Sequence, residues 1–400
     1  MQHKTIFLHA GGPKAGSSAL QVFLSLNAER LQELGFVYSK CGLPVKEEFT
    51  VTAGNGVNLY AALSDHHTSD VVWRSDIRKA LLSYFTEDKC YAICSSENFS
   101  LLTEECWTVL REIAAEEHVA VVACYYVRNL ADFLSSSYDQ SLRHGYCFTW
   151  AKFLKETKVW EHYKALQLLE RTFDREALRV ISYDQCRKRI TESFLEVLGI
   201  SGHFDANIVN RGNQRIVNRS MTSAERDIII AINNSAPGRL SSVVSDALMI
   251  GNRHARPEPN HIDEEEMLRL EEVFGPQIQW INDSFFAGQN VVKIVEPAAS
   301  VETDSERSND ETVTAYKLAF KTLVREVAGS RVAAISEITS RLLAIDWERA
   351  GDPVIPADFD PFGYLLLNGD LLIGAVKPFL HYIEYGAREG RNWKLASGGR

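Results

Sequence analysis

One stretch near the start of the chain decides its fold: Ile6-Phe7-Leu8-His9-Ala10-Gly11-Gly12-Pro13-Lys14-Ala15-Gly16-Ser17-Ser18-Ala19-Leu20. The apolar run from Ile6 to Leu8 predicts a buried strand. Apolar residues at helical spacing from Leu20 onward predict a helix that stops at Gly35. A strand, a glycine-rich loop and a helix form a geometry that binds phosphate-like anions, because backbone N–H groups at the helix start point at the anion and the helix dipole favours negative charge.

The loop differs from that of nucleotide triphosphatases, which reads Gly-x-x-x-x-Gly-Lys-Ser/Thr. Gly11 and Gly16 have this glycine spacing, but Ser17 stands where the lysine belongs, and the lysine comes earlier, at Lys14. The structural alternative is a tight turn between strand and helix that carries a solvated lysine.

Predicted strands and helices alternate through the first half of the chain. Strands are predicted at 36–38, 90–94, 119–127 and 178–183, and helices at 76–85, 103–117 and 130–144, whereas 41–75 is predicted to be irregular. This order predicts an α/β fold with a P-loop-like, three-layer arrangement, in which helices flank both faces of a parallel sheet. Such sheets bind ligands beyond the carboxyl ends of their strands. Lys14, Glu97 and Arg128 each follow a predicted strand and should therefore converge.

A second candidate anion site lies where the strand at 119–127 ends. Arg128 follows this strand directly, and Ser136 stands eight positions later, about two turns into the next predicted helix. An arginine fork and a hydroxyl that converge from a strand end and a helix face can hold a phosphate. The alternative is an arginine that is salt-bridged at the strand end and a serine on a helix face.

These two motifs together resemble those of sulfotransferases. The run Pro13 to Ser18 is similar to the family's Pro-Lys-Thr/Ser-Gly-Thr/Ser-Thr/Ser loop, which wraps the 5′-phosphosulfate of 3′-phosphoadenosine 5′-phosphosulfate (PAPS). Arg128 and Ser136 match the positions of the family's 3′-phosphate-binding element. The resemblance extends over residues 4–290. It implies that PAPS is the donor and that a sulfuryl group is transferred to a hydroxyl or an amine.

The resemblance also implies roles for individual residues of the loop. Lys14 would neutralise charge on the bridging oxygen as that oxygen departs. The backbone amides from Gly16 to Ala19 would hold the 5′-phosphate, assisted by the hydroxyls of Ser17 and Ser18. No metal is expected, because this chemistry needs alignment and charge stabilisation rather than a bound ion.

Two further positions are candidate contacts of the nucleotide. Tyr183 matches the family's strand that ends in Tyr-Glu/Asp, and it would either pack near the adenine or serve only as a core or rim aromatic. Arg211 begins a late basic loop that would either close over the nucleotide or form a solvated turn.

The acceptor must lose a proton, and Glu97 is the predicted general base because it should share a sheet edge with Lys14 and Arg128. The structural alternative is that Glu97 pairs with Lys14 or caps the next helix. His9, just before the loop, is the other candidate base, although its strand-end position favours a structural role.

Composition limits the remaining possibilities. The 400 residues are 45% hydrophobic and 24% charged, which is typical of a globular protein. The net charge of −10 argues against nucleic-acid binding. No apolar stretch approaches the roughly 18 residues of a membrane helix, and no signal-peptide core is present. The seven cysteines include no Cys-x-x-Cys pair, so a reducing cytoplasm is the expected compartment.

Three parts are predicted along the chain: a sulfotransferase-like domain at 1–295, an acidic linker at 296–312, and a helical C-terminal region at 313–400. Within the last, 353–394 resembles a short module, Phe-Asp-Pro-x-x-Tyr-Leu…Pro-x-x-His-Tyr…Gly-x-x-Glu-Gly-Arg, that is attached to bacterial enzymes of surface-polysaccharide assembly. This resemblance implies a bacterial source and a carbohydrate acceptor. The alternative is an appendage that only packs on the main domain.

Two other functions remain open at this point. One is a P-loop nucleotide kinase or hydrolase, which is disfavoured by the position of Lys14 and because the strand at 119–127 ends in arginine rather than aspartate. The other is a nucleotide-binding scaffold without catalysis. A magnesium requirement with ATP turnover would indicate the first, and binding of adenosine 3′,5′-bisphosphate without any transfer would indicate the second.

Overall fold

A computed structural model describes residues 3–39, 54–65, 69–146, 148–209, 219–235, 239–251, 255, 258, 260–295, 319, 322, 356, 359, 364, 368 and 381–391. The chain divides into two compact units, Met1–Ala319 and Phe320–Arg400. The fold that follows is that of the first unit.

The first unit is built on a five-stranded parallel sheet. The strands are β1 (Lys4–His9), β2 (Phe36–Val37), β3 (Tyr91–Ser95), β4 (Val119–Val127) and β5 (Leu178–Ser182). Their order is β2-β3-β1-β4-β5, and every pairing is parallel. The predicted α/β class is therefore confirmed. The strand β1 lies between β3 and β4, so the ends of three neighbouring strands meet at one edge.

Helices cover both faces of this sheet. They are α1 (Ser17–Leu26), α2 (Ala28–Glu33), α3 (Val57–Ser64), α4 (Asp70–Leu82), α5 (Glu104–Glu116), α6 (Leu130–Arg143), α7 (Trp150–Glu156), α8 (Glu161–Thr172), α9 (Tyr183–Cys186), α10 (Ile190–Val197), α11 (Ser223–Ser235), α12 (Arg239–Gly251) and α13 (Glu264–Phe285). A short 3-10 helix, Glu97–Leu101, follows β3. Among the residues with a described position, no helix is long and apolar enough to cross a membrane.

Alternating side chains of β1 enter two separate cores. Ile6 and Leu8 belong to a cluster that includes Trp107, whereas Phe7 packs against a second cluster that includes Leu20 and Phe194. Because successive residues of a strand point to opposite faces, these clusters lie on the two sides of the sheet. The first unit therefore has the predicted three layers of helix, sheet and helix.

The single helix predicted to run from Leu20 to Gly35 is broken at Asn27. The backbone N–H of Asn27 donates to the carbonyl of Phe23 at 3.1 Å, and its side-chain amide donates to the same oxygen at 2.8 Å. Asparagine competes for backbone hydrogen bonds in this way, which ends α1 before α2 begins at Ala28.

The prediction that 41–75 is irregular is wrong where the structure describes this stretch, because α3 and the start of α4 lie there. Leu59 and Leu63 of α3 are fully buried. Gly54 precedes α3, and a Cβ at this position would lie 2.0 Å from the carbonyl oxygen of Ser95. This glycine therefore permits a close approach to β3.

In the second unit, aromatic side chains pack around one tyrosine. The hydroxyl of Tyr364 lies 2.9 Å from Nδ1 of His381, and the rings of Phe359 and Tyr382 are 4.8 Å apart. A π-helical turn, Tyr382–Gly386, continues into the α-helical turn Ala387–Glu389. The predicted linker at 296–312 lies outside the described residues, and the domain boundaries stay a prediction.

Two glycines with nearly the same backbone angle allow the central loop to be tested. Gly12 has φ 97 and Gly35 has φ 94, but a Cβ would lie 1.8 Å from the carbonyl oxygen of Tyr126 at the first and within 4 Å of nothing at the second. Gly35→Ala should therefore lower the free energy of unfolding only by the strain of a left-handed alanine, about 1–2 kcal/mol. Gly12→Ala should lower the free energy of unfolding by about 3 kcal/mol or more, because its Cβ would also clash with the Tyr126 carbonyl. Urea denaturation measures both, and equal losses would contradict the close approach.

Candidate functional site

The loop between β1 and α1 is held in a left-handed turn. Lys14 has φ 64, which is uncommon for a residue with a side chain. Nη1 of Arg128 donates to the carbonyl oxygen of Lys14 at 2.7 Å and so holds this conformation. Gly16, with φ 80, ends the loop at the position before α1. A Cβ at Gly16 would lie 2.7 Å from the Tyr183 ring, so only glycine fits here.

The start of α1 presents backbone donors to the site. The N–H of Ala19 donates to the carbonyl of Gly16 at 3.1 Å. Across the described part of the chain, no acceptor binds the N–H groups of Gly16, Ser17 and Ser18. No acidic residue occupies the first turn of α1. Three donors and the positive end of the helix dipole are therefore available to an anion.

Arg128 is a buried cation at the end of β4. It is only 8% exposed, and none of the ion pairs among the described residues includes it. Its Nε is buried and has no hydrogen-bond partner in that same set. The predicted alternative, a salt-bridged arginine, is thus not what these residues show. A buried charge without a counterion is costly, so an anion here would stabilise the site.

Lys14 has an altered acid–base equilibrium. Its partial burial lowers its pKa to about 8. The negative charges of Glu97 and Asp139 act against this shift, while the positive charges of Arg143 and Arg128 add to it. Lys14 is therefore mostly protonated at pH 7 and loses its charge as the pH rises through about 8.

Glu97 lies opposite the start of α1. It is the exposed first residue of the 3-10 helix, and Oγ of Ser17 donates to its Oε2 at 2.9 Å. Ser96, rather than Glu97, caps this helix by accepting from the N–H of Asn98. The ion pairs of the described chain also include none between Glu97 and Lys14. Glu97 is thus held by a hydroxyl and remains accessible.

His9, the last residue of β1, is buried and closed off from solvent. It is fully buried, and its Nδ1 lies 2.8 Å from Oγ of Ser95. Burial lowers its pKa to about 4, so the ring is neutral at pH 7. Its ring also meets Tyr126 and Phe194 edge-on, with centroids 5.7 and 5.9 Å apart. These contacts favour the structural role over proton transfer with a bound acceptor.

One face of α6 belongs to the site. Ser136 is half-buried two turns into this helix, as predicted, and Asp139 and Arg143 follow at spacings of three and seven residues. The charges of Asp139 and Arg143 both act on Lys14. Neither residue was singled out from the sequence. Their helical spacing from Ser136 is the signal that would have found them.

Both of these added residues are anchored by neighbouring helices. Asp139 accepts from Nε of Arg226 at 2.7 Å and from the N–H of Met221 at 2.9 Å. Nη2 of Arg143 donates to Asp246 at 2.6 Å. The contacts tie α6 to α11 and α12 and fix the charges that face Lys14.

Tyr183 lies at the site because it packs beneath Arg128. The centre of its ring is 5.3 Å from the guanidinium carbon, which is a cation–π distance. It therefore supports the arginine and the Gly16 turn. Arg211, the other predicted nucleotide contact, lies outside the described residues. Within the described ranges, no three His, Cys, Asp or Glu side chains are grouped so that they could hold a metal ion.

Comparison with known proteins assigns no family to this chain. No family model matches the chain, and no curated protein matches it. Among solved structures, the chain is similar to a sulfotransferase domain from the olefin synthase of Synechococcus PCC 7002. The two share 14% identity with a TM-score of 0.26, over 60% of this chain and 91% of that domain. At this level the likeness carries no residue role.

The surroundings of Lys14 predict how it titrates. In competitive labelling with acetic anhydride, read by mass spectrometry, the reactivity of the Lys14 amine should rise with a midpoint near pH 8, because only the neutral amine reacts. Exposed Lys79 in the same sample is the internal reference. Arg143→Gln should raise the pKa of Lys14, and Glu97→Gln should lower it. A midpoint that responds to neither variant would contradict the described cluster of charges.

Proposed function

We propose that this protein is a PAPS-dependent sulfotransferase that moves a sulfuryl group to a hydroxyl or an amine of an acceptor. The observation that carries the proposal is the buried guanidinium of Arg128, whose Nε has no partner among the described residues. Arg128 also donates to the carbonyl of Lys14, in the loop that leads into three backbone N–H donors at the start of α1. A donor with two separate anionic groups fits both features.

The residues divide the donor between two subsites. The N–H groups of Gly16, Ser17 and Ser18 are offered to the 5′-phosphosulfate, for which the helix dipole adds attraction. Arg128, with the Ser136 face of α6, is offered to the 3′-phosphate. A guanidinium binds a phosphate well because its N–H groups form a planar fork.

Sulfuryl transfer requires aligned substrates, a positive charge near the leaving oxygen and a base for the acceptor proton. The acceptor oxygen forms a bond to sulfur while the bond from sulfur to the bridging oxygen breaks. Negative charge that develops on that leaving oxygen is met by the ammonium group of Lys14. The acceptor proton passes to the carboxylate of Glu97, which is exposed at the same sheet edge. The protein thus supplies alignment, charge and a base.

The acceptor proposed here is a carbohydrate, and the setting is the cytoplasm of a bacterium. Support for the acceptor comes from the resemblance of 353–394 to a module of surface-polysaccharide enzymes. The net charge of −10 is consistent with a small-molecule or glycan substrate rather than nucleic acid.

The role of Arg128 is tested with two ligands that differ by one phosphate. Arg128→Ala should weaken binding of adenosine 3′,5′-bisphosphate about ten- to a hundredfold, because a charge-assisted contact contributes roughly 1.5–3 kcal/mol. Binding of adenosine 5′-phosphate should change far less. Calorimetry measures both, with exposed Arg171→Ala as the control. An equal loss for the two ligands would mean that Arg128 acts only by shaping the loop.

The proposed base is tested by an isosteric change. Glu97→Gln keeps the shape and removes the proton acceptor, so it should retain donor binding and lower turnover at least about a hundredfold. Sulfuryl transfer from labelled PAPS to a panel of glycans provides the assay. Glu104→Gln, on an exposed helix start, serves as the matched control. Turnover within a few-fold of the unmodified enzyme would assign the base to another residue.

A further inference from the structure

The contact between Ser17 and Glu97 joins the two halves of the proposed machinery. Ser17 is the first residue of α1 and is 4% exposed. Its hydroxyl donates to Oε2 of Glu97 across 80 residues of sequence. A serine hydroxyl carries a single proton and can donate it to only one acceptor at a time. Any other acceptor of this hydrogen bond must therefore displace Glu97 from the Ser17 hydroxyl.

We propose that Ser17 is a positioning residue, which holds Glu97 in the empty enzyme and transfers its hydrogen bond to the donor's 5′-phosphate when the donor binds. This inference rests on the proposed function. Glu97 is then released toward the acceptor only in the loaded enzyme. No covalent bond changes in this step, because one hydrogen bond is exchanged for another.

Burial makes this exchange favourable in one direction. The Ser17 hydroxyl is buried and cannot turn to water, so it needs an acceptor inside the site. Glu97 is exposed, so water can replace the hydrogen bond that it gives up. A phosphate bound at the N–H groups of Ser17 and Ser18 would lie within reach of the Ser17 side chain. Its oxygens accept charge-assisted hydrogen bonds, as those of a carboxylate do.

The neighbouring serine provides a built-in comparison. Ser18 also stands in the first turn of α1 and can also reach a bound phosphate. It makes no hydrogen bond to Glu97 in the part of the chain with described positions. Removing its hydroxyl would therefore weaken phosphate binding without freeing Glu97. Comparing the two serines therefore distinguishes a hydroxyl that switches between Glu97 and the phosphate from one that only contacts the phosphate.

A double-mutant cycle on ligand affinity tests the exchange without relying on turnover. Calorimetry with adenosine 3′,5′-bisphosphate would compare the unmodified protein, Ser17→Ala, Glu97→Ala and the double variant. With Ser17 present, Glu97→Ala should tighten binding about tenfold, because the ligand no longer displaces the carboxylate. With alanine at position 17, the same change should tighten binding only about twofold, through lost charge repulsion. The Ser18→Ala and Glu97→Ala cycle should be additive.

The outcomes separate this inference from the proposed function. No binding of adenosine 3′,5′-bisphosphate to the unmodified protein would overturn both. Binding with an additive Ser17 and Glu97 cycle would overturn the exchange alone. The isosteric pair Ser17→Thr and Ser17→Val guards against a merely structural effect: threonine should keep the coupling and valine should lose it.

Discussion

The hydrogen bond from Arg128 to the carbonyl of Lys14 holds the site together. It joins the end of β4 to the loop after β1 and stabilises a left-handed lysine that would otherwise be strained. The same guanidinium rests on the Tyr183 ring and keeps an unpartnered Nε among the described residues. One side chain therefore shapes the loop and also offers charge to a ligand, which is consistent with its burial and with the lack of an ion pair to it among the described residues.

Sheet topology brings the remaining residues to this interaction. Because β1 lies between β3 and β4, the segments that follow these three strands meet at one edge. His9 is level with Ser95 on one side and with Cys124 on the other. Glycines then let backbones touch, as Gly12 does at the carbonyl of Tyr126. The positions of Lys14, Glu97 and Arg128 thus follow from strand order and close packing rather than from local sequence.

Three positively charged side chains meet at the site, although the net charge of the whole chain is negative. The chain carries a net charge of −10, yet Arg128 and Arg143 lie close enough to Lys14 for their positive charges to act on it. Burial of Lys14 and the two arginines lower its pKa to about 8, so the cluster is poised between a charged and a neutral lysine. A local anion would relieve this repulsion, which is why attraction for a phosphate does not require a basic protein.

The sequence by itself determined the parallel α/β fold, the bounds of β4 at 119–127 and the strand ends that carry Lys14, Glu97 and Arg128. These follow from apolar periodicity and from glycine spacing, which act between near neighbours. Only the tertiary structure decided the approach of Arg143 to Lys14 and the hydrogen bond from Ser17 to Glu97. Periodicity shows which face of an element is buried. It does not show which residues, 80 or 114 positions apart, share a hydrogen bond across that buried surface.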